Sequence, residues 1–576
     1  MGRISGGAAL AQTLRALDVT EVFTLHGGHL DAFLVACPDA GIRLTDMRNE
    51  ASAGHAAEAY GRATEKLGVA VITAGPGFTN ALTAVASAWL DASPVLFIAG
   101  SPPLREVATN PLQGGFDQVA MAAPVTKWAH RITHADRIPD LVDKAARMAL
   151  SGRPGPVFLE VPIDVMFAPV ESDRLVFPEP YALTRPSAPA DAIDRLLDML
   201  ARAERPVIIA GGGAISAACA VRLKTFAART KIPVAVNGKA LGVLAADHPQ
   251  NVGMVGVLAT TATIAKQKPD VVLQLGARAG LFLGGRSGTI VPHDAKLAQI
   301  DIDGAEIGRL KAADLGIVAD CGEALAVMLD RADKREWRAR DEWTDLLRKC
   351  GSAAITSFRD APHETQPGLL HPFHAARAVA EALTPDTAVV LDGGEAPSWV
   401  RPFLKSPGPG LALGNGYLGC LGIGQGFAIG LARARPSKPV ALVIGDGSAG
   451  FNIAEFDTMA RHRLPIVTII YNNACWGMSQ HGQEIIYGRQ HLAAVKLAAS
   501  DYHLVAQGFG CGGEKVTRYE DIGPAVRRAQ ATGLPACINL LIDPDIVHPV
   551  TTAMMGAMKS NKEIAIPYYE NIPGAK

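Results

Sequence analysis

Short apolar runs alternate with longer Ala-rich stretches along most of the chain. Segments 69–73 (VAVIT), 95–99 (VLFIA) and 156–161 (PVFLEV) are continuous apolar or β-branched runs, and segments 51–64 and 78–90 between them have helical composition. Continuous rather than alternating apolar runs mark strands buried on both faces, as in a parallel sheet covered by helices. The pattern pauses near 170–190, where Pro178, Pro180, Pro186 and Pro189 interrupt any periodicity. It resumes at 206–210 (PVIIA), 271–275 (VVLQL) and 297–302 (LAQIDI), then breaks again around Pro362, Pro367 and Pro372. A third block carries 388–391 (AVVL), 440–444 (VALVI), 466–471 (IVTIIY) and 536–542 (ACINLLI). The expectation is an α/β protein of three doubly wound parallel-sheet domains, 1–175, 190–345 and 365–548, with a C-terminal tail over 549–576.

Composition narrows the function. Hydrophobic residues make up 48% and charged residues 19%, enough to close several cores and to exclude extended disorder. Lys plus Arg is 55 against 56 for Asp plus Glu, a net charge of −1, so no nucleic-acid partner is expected. Leu10, Leu14 and Leu17 recur at helical spacing, so the N-terminus reads as a helix of a folded domain rather than a cleaved leader. No apolar stretch is long enough to span a membrane, and a cytoplasmic location is expected. The eight cysteines are scattered without a C-x-x-C pair, which argues against a disulfide framework or a structural zinc site.

The segment that carries chemistry is Gly445-Asp446-Gly447-Ser448, directly after the VALVI run, followed by Asn472-Asn473 directly after IVTIIY. Adjacent parallel strands would set both turns on one sheet edge. Asp446 offers a carboxylate oxygen, Asn473 an amide oxygen, and the Cys475 backbone a carbonyl oxygen. That set suits octahedral magnesium and leaves positions for diphosphate oxygens and a water. Gly447 would let a phosphate approach the backbone, and the following helix N-terminus would favour its charge.

This arrangement resembles the signature of thiamine diphosphate-dependent enzymes, in the branch of benzaldehyde lyase, 2-hydroxyacyl-CoA lyases, oxalyl-CoA decarboxylase and acetolactate synthase. The resemblance extends over LHGGHLDAFLVAC (25–37), RNEASAGHAAEAYGRA (48–63), the 72–100 and 112–130 segments, NGYLGCLGIGQGFAIG (415–430) and the 445–473 segment. It implies pyrimidine-binding, central and diphosphate-binding domains in that order, with thiamine diphosphate and magnesium as cofactors. The cofactor would lie between the first domain of one subunit and the third of another, so a homodimer is the minimum and a homotetramer is usual. By the same resemblance Glu50 activates the aminopyrimidine, Leu421 lies beneath the bent cofactor and Gly419 offers it a carbonyl. Gly394, Glu395, Asp446, Gly447, Ser448, Asn473, Cys475, Trp476, Gly477 and Met478 complete the cofactor site, with Asp446, Asn473 and Cys475 at the metal. His29 and Gln113 face the substrate.

The chain departs from benzaldehyde lyase around the substrate. Pro397, Asn415, Ile163 and Gly482 stand where that enzyme has a tyrosine, a histidine, a tryptophan and a phenylalanine. Met478 and Gly28 each stand where it has an alanine. Loss of aromatic bulk favours an aliphatic or longer substrate. Glu484 adds a carboxylate, a candidate base for a substrate hydroxyl, with a plain surface role as its alternative. The tail, with Tyr568, Tyr569 and Glu570, is similar in placement to lids that close over acyl-CoA. The expected activity is a carbon–carbon lyase/carboligase, most like a 2-hydroxyacyl-CoA lyase acting on a small-molecule or acyl-CoA substrate. A benzaldehyde lyase-type acyloin lyase is the alternative, and an acetolactate synthase-like enzyme the third reading. A nucleotide-dependent oxidoreductase finds little support, because Gly422, Gly424 and Gly426 lack the downstream acid. A non-catalytic regulator would be expected to have lost Glu50, Asp446 or Asn473. Whether the central domain holds an adenine nucleotide or the CoA adenosine is left open by the sequence; Arg278 and Arg286 are weak candidates for its phosphates, and solvated surface charges are the favoured reading of both.

Overall fold

The computed structural model describes residues 2–106, 109, 112–179, 182–555, 557–558 and 564–565. Three six-stranded sheets form in chain order, each wholly parallel. In the first, the strands run Arg43–Asp46, Glu21–Thr24, Gly68–Ile72, Val95–Ser101, Val157–Pro162, Ala129–Arg131 across the sheet. In the third they run Ala412–Gly414, Ala388–Asp392, Val440–Gly445, Ile466–Asn472, Ala536–Leu541, Gly512–Val516. Ranked by sequence, both sheets have the order 2-1-3-4-6-5. The two outer blocks therefore share a topology that periodicity could not display. The central sheet instead has the order 3-2-1-4-5-6, built on Pro206–Ala210 and Val271–Leu275.

Each sheet has a switch point, where connections leave in opposite directions and a crevice opens beyond the carboxyl ends of the strands. In the third sheet it lies between Ala388–Asp392 and Val440–Gly445, whose ends carry Gly393-Gly394-Glu395 and Gly445-Asp446-Gly447. In the first it lies between Glu21–Thr24 and Gly68–Ile72, which lead to the His26–His29 turn and to Thr73.

The long apolar runs seen in the sequence are all strands in these sheets. Of the strands that pattern alone did not reveal, Arg43–Asp46, Ala129–Arg131 and Ala412–Gly414 are short and lie at sheet edges, whereas Glu21–Thr24 and Val234–Val236 are interior but only four and three residues long. An edge strand buries less and so carries a weaker hydrophobic signal.

The first and third domains share one apolar core. Helix Glu50–Thr64 packs on helix Gly424–Ala434, and two glycines allow the contact. A Cβ at Gly430 would stand 2.2 Å from the Ala56 carbonyl oxygen, and one at Gly426 2.8 Å from that of Ser52. Glu455, from the third domain, accepts from the Arg48 and Asn49 amides at 3.1 Å, fixing the turn that leads into Glu50. Among the described residues, no helix is long and apolar enough to cross a membrane.

Candidate active site

At the carboxyl edge of the first sheet, Glu50 opens its helix. Asn49 caps that helix by accepting from the Ala51 amide at 2.8 Å. The Glu50 side chain is buried, and Oε2 accepts from Asn80 Nδ2 at 3.0 Å. Gly77 packs beside it: a Cβ there would stand 2.8 Å from the Thr73 side chain and in ordinary contact, 3.4 Å, with Oε1. His29 lies over the end of strand Val95–Ser101, where a Cβ on Gly100 would come within 2.7 Å of its own Cβ. Burial lowers the His29 pKa, so at neutral pH the imidazole is neutral and able to accept a proton. Gln113 holds a left-handed backbone, φ 55°, against Gly75. The first sheet thus brings Glu50, His29 and Gln113 to one edge.

The third sheet sets out the other half. Asp446 begins helix Asp446–Phe451, and burial pushes its carboxyl up to about 7. Its Oδ2 is buried with no hydrogen-bond partner. The Asn473 amide turns its oxygen side toward the Cys475 carbonyl at 2.9 Å and Asp446 Oδ1 at 3.2 Å. Turned over, the amide donates to both of these oxygens, and the orphaned Asp446 Oδ2 is what asks for a positive partner. Among the described residues no group of three or more His, Cys, Asp or Glu side chains is placed to hold a metal ion. One carboxylate, one amide and one carbonyl suit a hard ion such as magnesium rather than zinc. Gly447 is required here, because a Cβ would stand 2.6 Å from the Trp476 ring. Gly394 is required likewise by Met478, at 2.9 Å. Ser448 is buried beside Asp392, whose carboxyl burial raises to about 6. Gly477 meets Asn473 and Glu395, and Gly419 is left-handed, φ 67°, facing open space.

A cavity of about 980 Å³ starts at Gly394, Gly419, Leu421 and Met478 and extends between the three domains to Arg278 and Asp301. Pro397 and Asn415 line it, but Glu50, His29, Gln113, Asp446 and Glu484 do not. Within one chain, the structure therefore does not bring the two sheet edges into one chamber. Glu484 lies on helix Gly477–Tyr487, accepts from Gln480 Nε2 at 3.1 Å and pairs with Arg489 at 3.4 Å. The Glu395 carboxylate is engaged by His481 Nδ1 at 2.9 Å and by the Thr551 hydroxyl, so its backbone is the part left for a cofactor. Helix Pro549–Met555 puts Val550 and Met554 in the cavity wall. Tyr568, Tyr569 and Glu570 lie outside the described residues. Arg278 is paired with Glu306 at 3.1 Å and donates to the Leu90 carbonyl, whereas Arg286 is exposed and donates to the Leu310 carbonyl.

Sequence reasoning missed Asn80 and the Glu395–His481–Thr551 cluster. Asn80 follows Glu50 by most of a strand–helix unit, and the cluster joins residues 86 and 156 positions apart. No local pattern records either.

Residues 4–121 match the N-terminal TPP binding domain of the thiamine pyrophosphate enzymes, 193–328 their central domain and 392–540 their C-terminal TPP binding domain. The chain is 33% identical over 550 residues to a probable acetolactate synthase of Mycobacterium bovis, covering 94% of this chain and 96% of that one. It is 31% identical over 582 residues to 2-hydroxyacyl-CoA lyase 2 of Danio rerio, covering 93% and 91%. It is also 31% identical over 586 residues to an acetolactate synthase large subunit of Corynebacterium glutamicum, covering 99% and 92%.

Proposed function

Since the chain belongs to the thiamine pyrophosphate enzyme family, and within it is a carbon–carbon lyase or carboligase, we propose that it is a 2-hydroxyacyl-CoA lyase. It would cleave a 2-hydroxyacyl-CoA reversibly into an aldehyde or ketone and formyl-CoA. The observation that carries this reading is the cavity. It leads from Leu421 and Met478 past Pro397 and Asn415 to the strand ends of the central domain, and at about 980 Å³ it has room for a long substrate arm.

Bound thiamine diphosphate supplies a nucleophilic carbon and an electron sink. The protein's part is placement. Asp446, Asn473 and the Cys475 carbonyl would hold magnesium, while Gly447 keeps the backbone open to a diphosphate. Leu421 and Met478 form the apolar floor. Glu50, fixed by Asn80, would be the carboxyl that activates the cofactor by holding a proton at its own oxygen. His29, half-buried and neutral, takes the substrate hydroxyl proton, with Glu484 as the other candidate, and Gln113 donates a hydrogen bond to the substrate oxygen. A second subunit supplies the Glu50 edge to the Leu421 cavity, so the competent unit is at least a homodimer, and a homotetramer is the expected form.

A second reading, an acetolactate synthase-like condensation of 2-oxo acids, is favoured by identities of 33% and 31% to two acetolactate synthases. The deciding experiment offers the holoenzyme formyl-CoA with a ketone or aldehyde, pyruvate, or benzoin in parallel. Turnover of the thioester supports the first reading. Turnover of pyruvate alone installs the second, and cleavage of benzoin alone a benzaldehyde lyase-type enzyme.

A further inference from the structure

The cavity wall carries seven basic side chains, and six have partners. Arg62 pairs with Glu58, Lys66 with Asp18, Arg185 with Asp320, Lys239 with Asp91 and Arg278 with Glu306. Arg153 donates to the Trp89 carbonyl at 2.9 Å. Arg401 is the exception: among the described residues no carboxylate, carbonyl or hydroxyl accepts from its guanidinium. It follows helix Ala396–Val400 and begins the short turn Arg401–Phe403. Nη2 reaches within 3.9 Å of where a Cβ on Gly414 would stand, so the head group lies against the glycine-lined wall. Pro397 and Ser398, one turn earlier, line the same space.

Arg401 is half-buried on the cavity wall, and a guanidinium without a protein acceptor there does not escape by losing its proton. Burial lowers the Arg401 pKa, with no acid nearby to oppose the effect. A cation kept in this state next to an open cavity is poised for an anion that arrives with the ligand. Its planar fork matches two oxygens of a carboxylate or phosphate.

We propose that Arg401 is the receptor for the substrate's oxyanion. Resting on the lyase reading, that anion is a phosphate of the CoA arm; under the acetolactate synthase-like reading it is the carboxylate of a 2-oxo acid. Arg401 is then a specificity residue that separates charged from neutral substrates of similar length.

Calorimetric titration of the holoenzyme separates these cases. The probes are free CoA, pantetheine (its uncharged arm) and oxamate, an unreactive 2-oxo acid analogue. In Arg401→Gln, the affinity for CoA should fall about tenfold to a hundredfold, as for a lost hydrogen bond to a charged group. Pantetheine should bind the variant and the parent alike. Arg401→Lys, which keeps the charge without the fork, should fall between and provides a second variant if the first folds poorly. A loss confined to oxamate keeps the receptor and removes the CoA reading. Equal CoA and oxamate affinities in parent and variants, or binding of neither probe by the parent, would overturn the assignment of Arg401.

Discussion

His481 and Glu395 form a buried pair at the floor of the third domain, with Nδ1 2.9 Å from Oε1 and 3.0 Å from Oε2. The other ring nitrogen is 2.7 Å from the Pro544 carbonyl, and Thr551 donates to the same carboxylate. The pair therefore fastens the segment that puts Val550 and Met554 in the cavity wall. Thr551→Val removes one donor to a buried carboxylate, a loss of about 1.5–3 kcal/mol. Amide exchange in 549–555 should accelerate about tenfold or more while the three sheets keep their protection. Unchanged exchange there would mean that the hydroxyl does not hold the segment.

The same pair makes the fastening depend on pH. Burial pulls the His481 pKa down, but the hydrogen bond and charge of Glu395, helped by the Pro544 carbonyl, outweigh it, and the net shift is upward from 6.5. A raised histidine contributes stability that is fully present below its unfolded value and is lost as pH rises through its folded value. Exchange in 549–555 should therefore quicken as pH rises above 6.5, beyond the intrinsic chemical rate. His481→Gln should abolish that extra dependence.

Gly430→Ala drives a methyl to 2.2 Å from the Ala56 carbonyl oxygen, between two helices that cannot both yield. Overpacking of this kind costs about 1–3 kcal/mol. The urea midpoint should fall, and the first and third domains should lose their joint transition. A wild-type midpoint would show that the helix pair is more loosely docked than the close approach implies.

Burial raises the Asp446 carboxyl to about 7 in the metal-free chain. A metal needs the ionised form, so a proton competes for the site. Apparent magnesium affinity, measured through thiamine diphosphate retention, should be level above pH 7 and fall about tenfold per unit below it. Asp446→Asn should weaken retention at every pH and flatten the profile.

Glu484 is tied to Arg489 and Gln480 rather than to the cavity of its own chain. If it acts as the base on a substrate hydroxyl, Glu484→Ala should lower kcat for thioester cleavage by about a hundredfold or more, the scale of general base catalysis. Thiamine diphosphate should remain bound. Unchanged turnover would leave that role to His29.

Much of this protein is determined by its sequence alone. Runs such as VALVI and IVTIIY are strands because a parallel strand covered on both faces must be apolar at successive positions. The turns that follow them, Gly445-Asp446-Gly447 and Asn472-Asn473, are legible because short range suffices to link strand end, ligand atom and helix start. Tertiary structure alone decided the rest. The shared strand order of the first and third sheets depends on which strands pair across dozens of residues. Asn80 beneath Glu50, Thr551 on Glu395 and the unpaired Arg401 depend on what each side chain meets after the domains close. A contact between distant segments leaves no periodic trace in either, and the absence of a partner leaves none at all.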